Sequence, residues 1–187
     1  ANTTGASNVA VGALASDAST TAAENAVLGY AALTSCTTGG ANTAIGYVSM
    51  QNLTTGSENV AIGNQALVSS VTGVGNVAIG REAMSLGAGA AEDNVAIGRL
   101  ALQDCTGANN VAIGRSALLQ CTSGGSNVAV GQTAGDAITT TTRNTLIGQA
   151  AGTAVNSSDN TFIGQNAGSA ITSGDANTII GRYDGNQ

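Results

Sequence analysis

The side chains with chemistry to offer are few and fall at regular intervals. Among 187 residues there are three cysteines, five arginines, three tyrosines and eleven acids, with no histidine, lysine, tryptophan or proline. Arg81, Arg99 and Arg115 recur at nearly the same interval, and a run of guanidinium groups suits carboxylate or sulfate partners, such as sialylated or sulfated glycans. Tyr30 and Tyr47 head the same series and offer faces on which a sugar ring could stack. Cys36, Cys105 and Cys121 show no CxxC spacing and have no histidine to complete a ligand set, so the sequence gives no metal site. No Ser/His/Asp set, P-loop or close carboxylate pair occurs, and no cofactor is called for. The expectation is a protein that is not an enzyme.

What positions these residues is a repeat. Asn followed by a short aliphatic run and Gly appears eleven times, as NVAVG, NAVLG, NTAIG, NVAIG, NTLIG, NTFIG and NTIIG. The anchors are Asn8, Asn25, Asn42, Asn59, Asn76, Asn94, Asn110, Asn127, Asn144, Asn160 and Asn177. They are spaced by 17 residues except for one interval of 18 and two of 16. Irregular spacing falls where the unit is richest in Gly and Ala, as in GAGAAED at 87–93, and length changes collect in loops. That segment is expected to be an outer turn.

Counting each Asn as position 0, position +4 is Gly in all eleven units. An unbroken Gly column needs a corner with unusual backbone or an approach too close for a Cβ. Position +3 is always aliphatic: Val11, Leu28, Ile45, Ile62, Ile79, Ile97, Ile113, Val130, Ile147, Ile163 and Ile180. The β-branched bias reads as a short strand. Eleven parallel strands about 4.8 Å apart make a rod on the order of 50 Å long. Positions +2 and +8 trade volume. Ala44, Ala61, Ala78, Ala96 and Ala112 go with Met50, Leu67, Met84, Leu102 and Leu118. In the last units Leu146, Phe162 and Ile179 go with Gly152, Gly168 and Gly185. Cores tolerate substitution when volume is kept, so these two columns are expected to face each other across one interior. Position +11 joins them with Ile138, Val155 and Ile171.

Composition agrees. The chain has 27 Gly, is 42% hydrophobic, mostly through Ala, Val and Ile, and is only 9% charged and 2% aromatic. Small side chains suit a thin, tightly wound β structure, and disorder is excluded by the low charge. A net charge of -6 without a basic run argues against nucleic acid. No apolar run reaches the 18 residues a membrane span needs. The chain opens at Ala1 without a leader and closes on what looks like the start of another repeat. It is therefore expected to be one tandem-repeat domain over 1–187, a fragment of a longer fibre.

Strand neighbours point to opposite faces, so adjacent apolar positions +2 and +3 make both faces oily. A single coil has one interior; the other face would expose an aliphatic stripe. Burying eleven such side chains gives roughly 15–30 kcal/mol per chain as an upper figure. Association costs roughly 4–15 kcal/mol. Parallel copies around a long axis, three by expectation, would cover the stripe; a flanking segment is the alternative. Which column lines the interior and which the axis stays open.

Units such as NTAIGYVSMQNLTTGSE (42–58) and NVAIGRSALLQCTSGGS (110–126) resemble repeats of viral and phage tail-fibre-like proteins. They are also similar to the head repeats of trimeric autotransporter adhesins, although those repeat at about 14 residues. The resemblance covers nearly the whole chain and implies an all-β, left-handed parallel β-roll or β-solenoid of eleven coils, interlocked as a parallel homotrimer. It also implies an extracellular place on a virion or cell surface, in attachment.

The remaining columns have plainer readings. The Asn column (Asn42, Asn59, Asn76, Asn94, Asn110, Asn127 and the rest) is expected to be a structural ladder of stacked amides. The cysteines share position +11 with Leu53, Ile138 and Val155 and read as small inward hydrophobes. Cys105 and Cys121 are close enough for a disulfide, but stacked side chains in a parallel ladder seldom meet its dihedral. The arginines are expected to pair with Glu82, Glu92, Asp104 or a neighbouring chain. The Thr pairs 20–21, 37–38 and 54–55, with Thr139 and Thr142, suggest turn chemistry, with an ice-binding array as the alternative. That array needs alternating outward Thr, and the column breaks at Ala88 and Gly89. A hexapeptide-type acyltransferase is also a solenoid, but it needs an aliphatic residue every six positions. Six after +3 stand Thr34, Gln51, Ser85 or Gln103. The leading reading is a structural fibre segment, with a receptor- or glycan-binding head as the alternative.

Overall fold

A computed structural model describes residues 4–87, 89 and 91–184. Each Asn-x-x-aliphatic-Gly motif forms one three-residue strand, from β1 (Val9–Val11) and β2 (Ala26–Leu28) through β7 (Val111–Ile113) to β11 (Thr178–Ile180). The eleven strands form one parallel sheet in chain order, β1 to β11, and no helix occurs among the described residues. Equivalent positions pair throughout, as Val60 with Val77, Ala61 with Ala78 and Ile62 with Ile79. The chain is a β-solenoid of about ten turns. The interval of 18 leaves β5 (Val77–Ile79) and β6 (Val95–Ile97) in register, and isolated bridges Ser70–Gly89 and Val74–Glu92 hold the irregular turn. Ala88 lies outside the described residues.

Hydrogen bonding from coil to coil continues past the strands. Position +1 donates to the next coil's Asn carbonyl, as Val60 N to Asn76 O at 2.8 Å, and position +4 donates back, as Gly63 N to Ile45 O at 2.8 Å. Beyond the strand the backbone alternates hand. Positions +6 and +8 are left-handed even when not glycine, as at Ser116 (φ 58°) and Leu118 (φ 51°). Each non-glycine left-handed residue costs roughly 1–2 kcal/mol, offset here because the turn aims Leu118 inward and lets its N–H donate to Ala134 O. The glycine column answers both of its requirements. Gly114 has φ +132°, and a Cβ there would lie 2.5 Å from Gly131 O. No side chain fits.

The interior is narrow and dry. Position +2 points inward, with Ala44, Ala61, Ala78, Ala96, Ala112, Leu146 and Phe162 fully buried. Position +8 meets it: a Cβ on Gly152 would come within 2.7 Å of Leu146 Cδ2, and one on Gly168 would strike the Phe162 ring. The large side chains of one column thus occupy the room the other vacates. Gly185 lies outside the described residues. Cys36, Leu53, Cys105, Cys121, Ile138 and Val155 of position +11 complete the core. A further inward column at +7 (Ala66, Ala83, Ala101, Ala117, Ala134, Ala151, Ala167) is also fully buried.

Candidate functional site

The Asn ladder sets which strand face looks outward. Asn25 through Asn160 are buried, and every amide is satisfied. Asn59 shows the pattern: its N–H and Nδ2 donate to Asn42 Oδ1 at 3.0 and 3.1 Å, and Nδ2 also donates to Gly73 O at 2.8 Å. The chain of amides runs from Asn8 to Asn177. An inward Asn at position 0 makes +2 inward by strand alternation and leaves +1 and +3 outward. The column Ile45, Ile62, Ile79, Ile97, Ile113, Ile147, Ile163 and Ile180 therefore lies on the outside, not in the core. Ile62, Ile113 and Ile147 are about 37% exposed, and Ile180 at the open end is 75% exposed. With Val60, Val77, Val95, Val111 and Val128 at +1 they form an aliphatic face over coils 4–8, and in coils 3, 9, 10 and 11 the +1 place is taken by Thr43, Thr145, Thr161 and Thr178.

The charged side chains divide unequally between the two long sides of this face. The trailing edge is position +5, just after the Gly corner. It reads Tyr30, Tyr47, Asn64, Arg81, Arg99, Arg115, Gln132, Gln149, Gln165 and Arg182. Tyr30 and Tyr47 are half exposed and stacked on each other, ring centroids 5.5 Å apart and 11° from parallel. Gln165 Nε2 donates to Gln149 Oε1 at 3.2 Å. Arg81 pairs with Glu82 at 2.8 Å. Arg99 and Arg115 are exposed and have no ion pair among the described residues. The pairing expected with Glu92 and Asp104 is thus not made within the chain, because Glu92 stands across the strand from the arginine column.

The leading edge is the two residues before each Asn. It holds Glu24, Glu58, Glu92, Asp93, Asp159 and Asp175, six of the eleven acids, while four of the five arginines stand at +5. The exception is Arg143, bound to Asp159 of the next coil at 2.6 and 2.8 Å. That contact holds the Asp159 carboxyl below its usual range and raises the Arg143 guanidinium.

The other singled-out groups face inward or serve the turns. All three cysteines are buried free thiols, with Cys105 Sγ and Cys121 Sγ 2.7 Å apart. The hydrogen bond with Cys105, then burial, pushes the Cys121 thiol far up. Burial likewise raises Cys36. Thr20, Thr37 and Thr54 donate their hydroxyls to carbonyls of the next coil, as Thr54 Oγ1 to Val71 O at 3.0 Å. Those hydroxyls are engaged in the turn and do not form a free array. A shallow groove of about 270 Å³ lies between Gln65, Val68, Glu82, Ser85, Leu86 and Gln103, without a nucleophile–base pair.

No protein-family model, curated protein or solved structure matches the chain. No helix among the described residues is long and apolar enough to cross a membrane. Two features escaped the sequence reading: the acidic leading edge of the face and, inside the coil, the buried +7 alanines. Both were visible as columns.

Proposed function

We propose that this chain is a structural segment of a surface-displayed fibre or adhesin, built by parallel association of copies, three per fibre, and supporting attachment to a host or surface. One observation carries the reading: the outward +3 column is aliphatic in all eleven coils, with Val, Ala or Thr beside it at +1, so no charged residue interrupts this face of the sheet. The resemblance of the NTAIG units to tail-fibre and adhesin-head repeats points the same way. Every +3 side chain is partly or largely exposed, from half-buried Ile45, Ile79, Ile97, Val130 and Ile163 to Ile180 at 75%, and covering one is worth about 1 kcal/mol per coil. A single coil would not associate. Eleven together come to about 10 kcal/mol, within the rough 4–15 kcal/mol that association costs. The +1 residues and the edges of the face must supply the rest.

Small-angle scattering combined with electron microscopy tests this. The expected particle is a straight rod about 50 Å long, with the cross-section of three chains and the +3 residues protected from exchange. A thin single-chain rod, or a compact globule, contradicts it. A glycan-binding head is the second reading, favoured by the exposed Tyr30–Tyr47 stack and, three coils further along the same edge, by Arg99 and Arg115, which have no ion pair among the described residues. A glycan array showing binding that is lost with Arg99→Ala would favour the head over the spacer.

A further inference from the structure

The partition of charge across the outer face says how copies meet. Acids crowd the leading edge and arginines the trailing edge of the same apolar strip, and Arg99 and Arg115 have no ion pair among the described residues. Three guanidinium groups stacked at about 4.8 Å repel one another unless an anion lies alongside. Among the described residues the one acid paired with them, Glu82, reaches Arg81 alone.

From this partition we infer that the face is a parallel, head-to-tail self-association surface, in which the trailing edge of one copy lies against the leading edge of a second copy of this chain. The inference rests on the self-assembly reading above and adds which residues recognise each other. In a closed ring with no shift along the rod, each coil meets the same coil of its neighbour. Arg99 then faces Glu92 and Asp93, with Arg81 and Arg115 one coil to either side, and Arg182 faces Asp175. No coil carries an acid at +5, so no leading-edge acid meets another acid. Arg143, the single base on the leading edge, faces Gln149 and not an arginine. Rods packed face to face in opposite directions would instead set trailing edge against trailing edge, arginines together. Charge favours the parallel arrangement.

The test is sedimentation of the full chain and three variants: Arg99→Glu, Glu92→Arg with Asp93→Arg, and all three changes together. These side chains are exposed, so each variant should keep the wild-type circular dichroism spectrum. Either one-sided reversal is expected to weaken assembly at least tenfold at low salt, and the combined swap to restore most of it. A second measurement avoids charge altogether. Arg99→Cys combined with Asp93→Cys places two thiols at opposite ends of one strand, about 20 Å apart, so a bond between them can form only between copies. Oxidation by a small-molecule disulfide should give covalent multimers on a non-reducing gel. Reversals without effect in a wild type that assembles, or no cross-linking in that assembly, would overturn the edge pairing and leave self-assembly standing. A monomeric wild type would overturn both.

Discussion

Replacing Phe162 by alanine removes the largest buried side chain of the rod, and its cost is set by how well the neighbours can collapse. Phe162 is fully buried and fills the space over Gly168. Truncations of this kind cost about 3–5 kcal/mol. Gly168→Leu alone is also damaging. It overpacks the core against Phe162, for about 1–3 kcal/mol, and puts a side chain at φ +61°, for about 1–2 kcal/mol. Together, however, the two changes reproduce the arrangement of coil 7, where Ala112 faces Leu118 at φ 51° and both are fully buried. The double variant should therefore lose only about 1–2 kcal/mol, the backbone part, leaving a coupling of about 3 kcal/mol or more. Urea unfolding at fixed chain concentration, followed by circular dichroism with hydrogen exchange on the last three coils, reads all four proteins. Additive losses would refute the opposition of positions +2 and +8.

Asn110→Ala leaves the buried Asn127 N–H and Gly124 carbonyl without the amide that now bonds them at 3.0 and 2.9 Å. A loss of about 2–5 kcal/mol is expected from two orphaned groups, and the same change at half-buried Asn8 should cost clearly less by thermal melting. Gly114→Ala should cost more than about 3 kcal/mol, since neither its φ nor the 2.5 Å approach to Gly131 O tolerates a Cβ; near-wild-type melting would show that the coils separate easily. Burial holds the Cys36 thiol, and the hydrogen bond with Cys105 and then burial hold the Cys121 thiol, above their ordinary range, so alkylation of these two in the folded chain at pH 8 should be far slower than in urea. Rapid native labelling would contradict the inward position +11. Arg143→Ala should let the Asp159 carboxyl, now held low by its hydrogen bonds to Arg143, titrate nearer its usual value in a carbon-detected pH series. The sign follows: the pair's contribution is present above the ordinary carboxylate pKa and is lost as pH falls through the lowered one. Any stabilisation from so exposed a contact is small.

The repeat, its parallel register and the opposition of positions +2 and +8 were legible because the chain compares itself with itself eleven times. Ala112 with Leu118, against Phe162 with Gly168, is a substitution experiment within one molecule. The facing of the aliphatic column was not read, because +2 and +3 are both apolar and periodicity alone cannot orient them. The deciding clue was Asn110 and its column: stacked amides must be sheltered to be worth making, and alternation then carries Ala112 inward and Ile113 outward. Of the arginine partners expected, Glu82 does hold Arg81, while Glu92 reaches no arginine among the described residues, because nearness in sequence is not nearness on a coil. Glu92 lies seven residues before Arg99 yet across the whole strand from it. The +7 alanines passed as composition in a chain already rich in alanine.

Sedimentation equilibrium on the unmodified chain tests most directly whether sister copies cover the outer face. A single species of three times the 18.0 kDa chain mass is expected, holding as the solution is diluted and tightening at low salt. A species of 18.0 kDa at every concentration would mean that Ile113 and its column stand in water, and the association of copies would have to be abandoned.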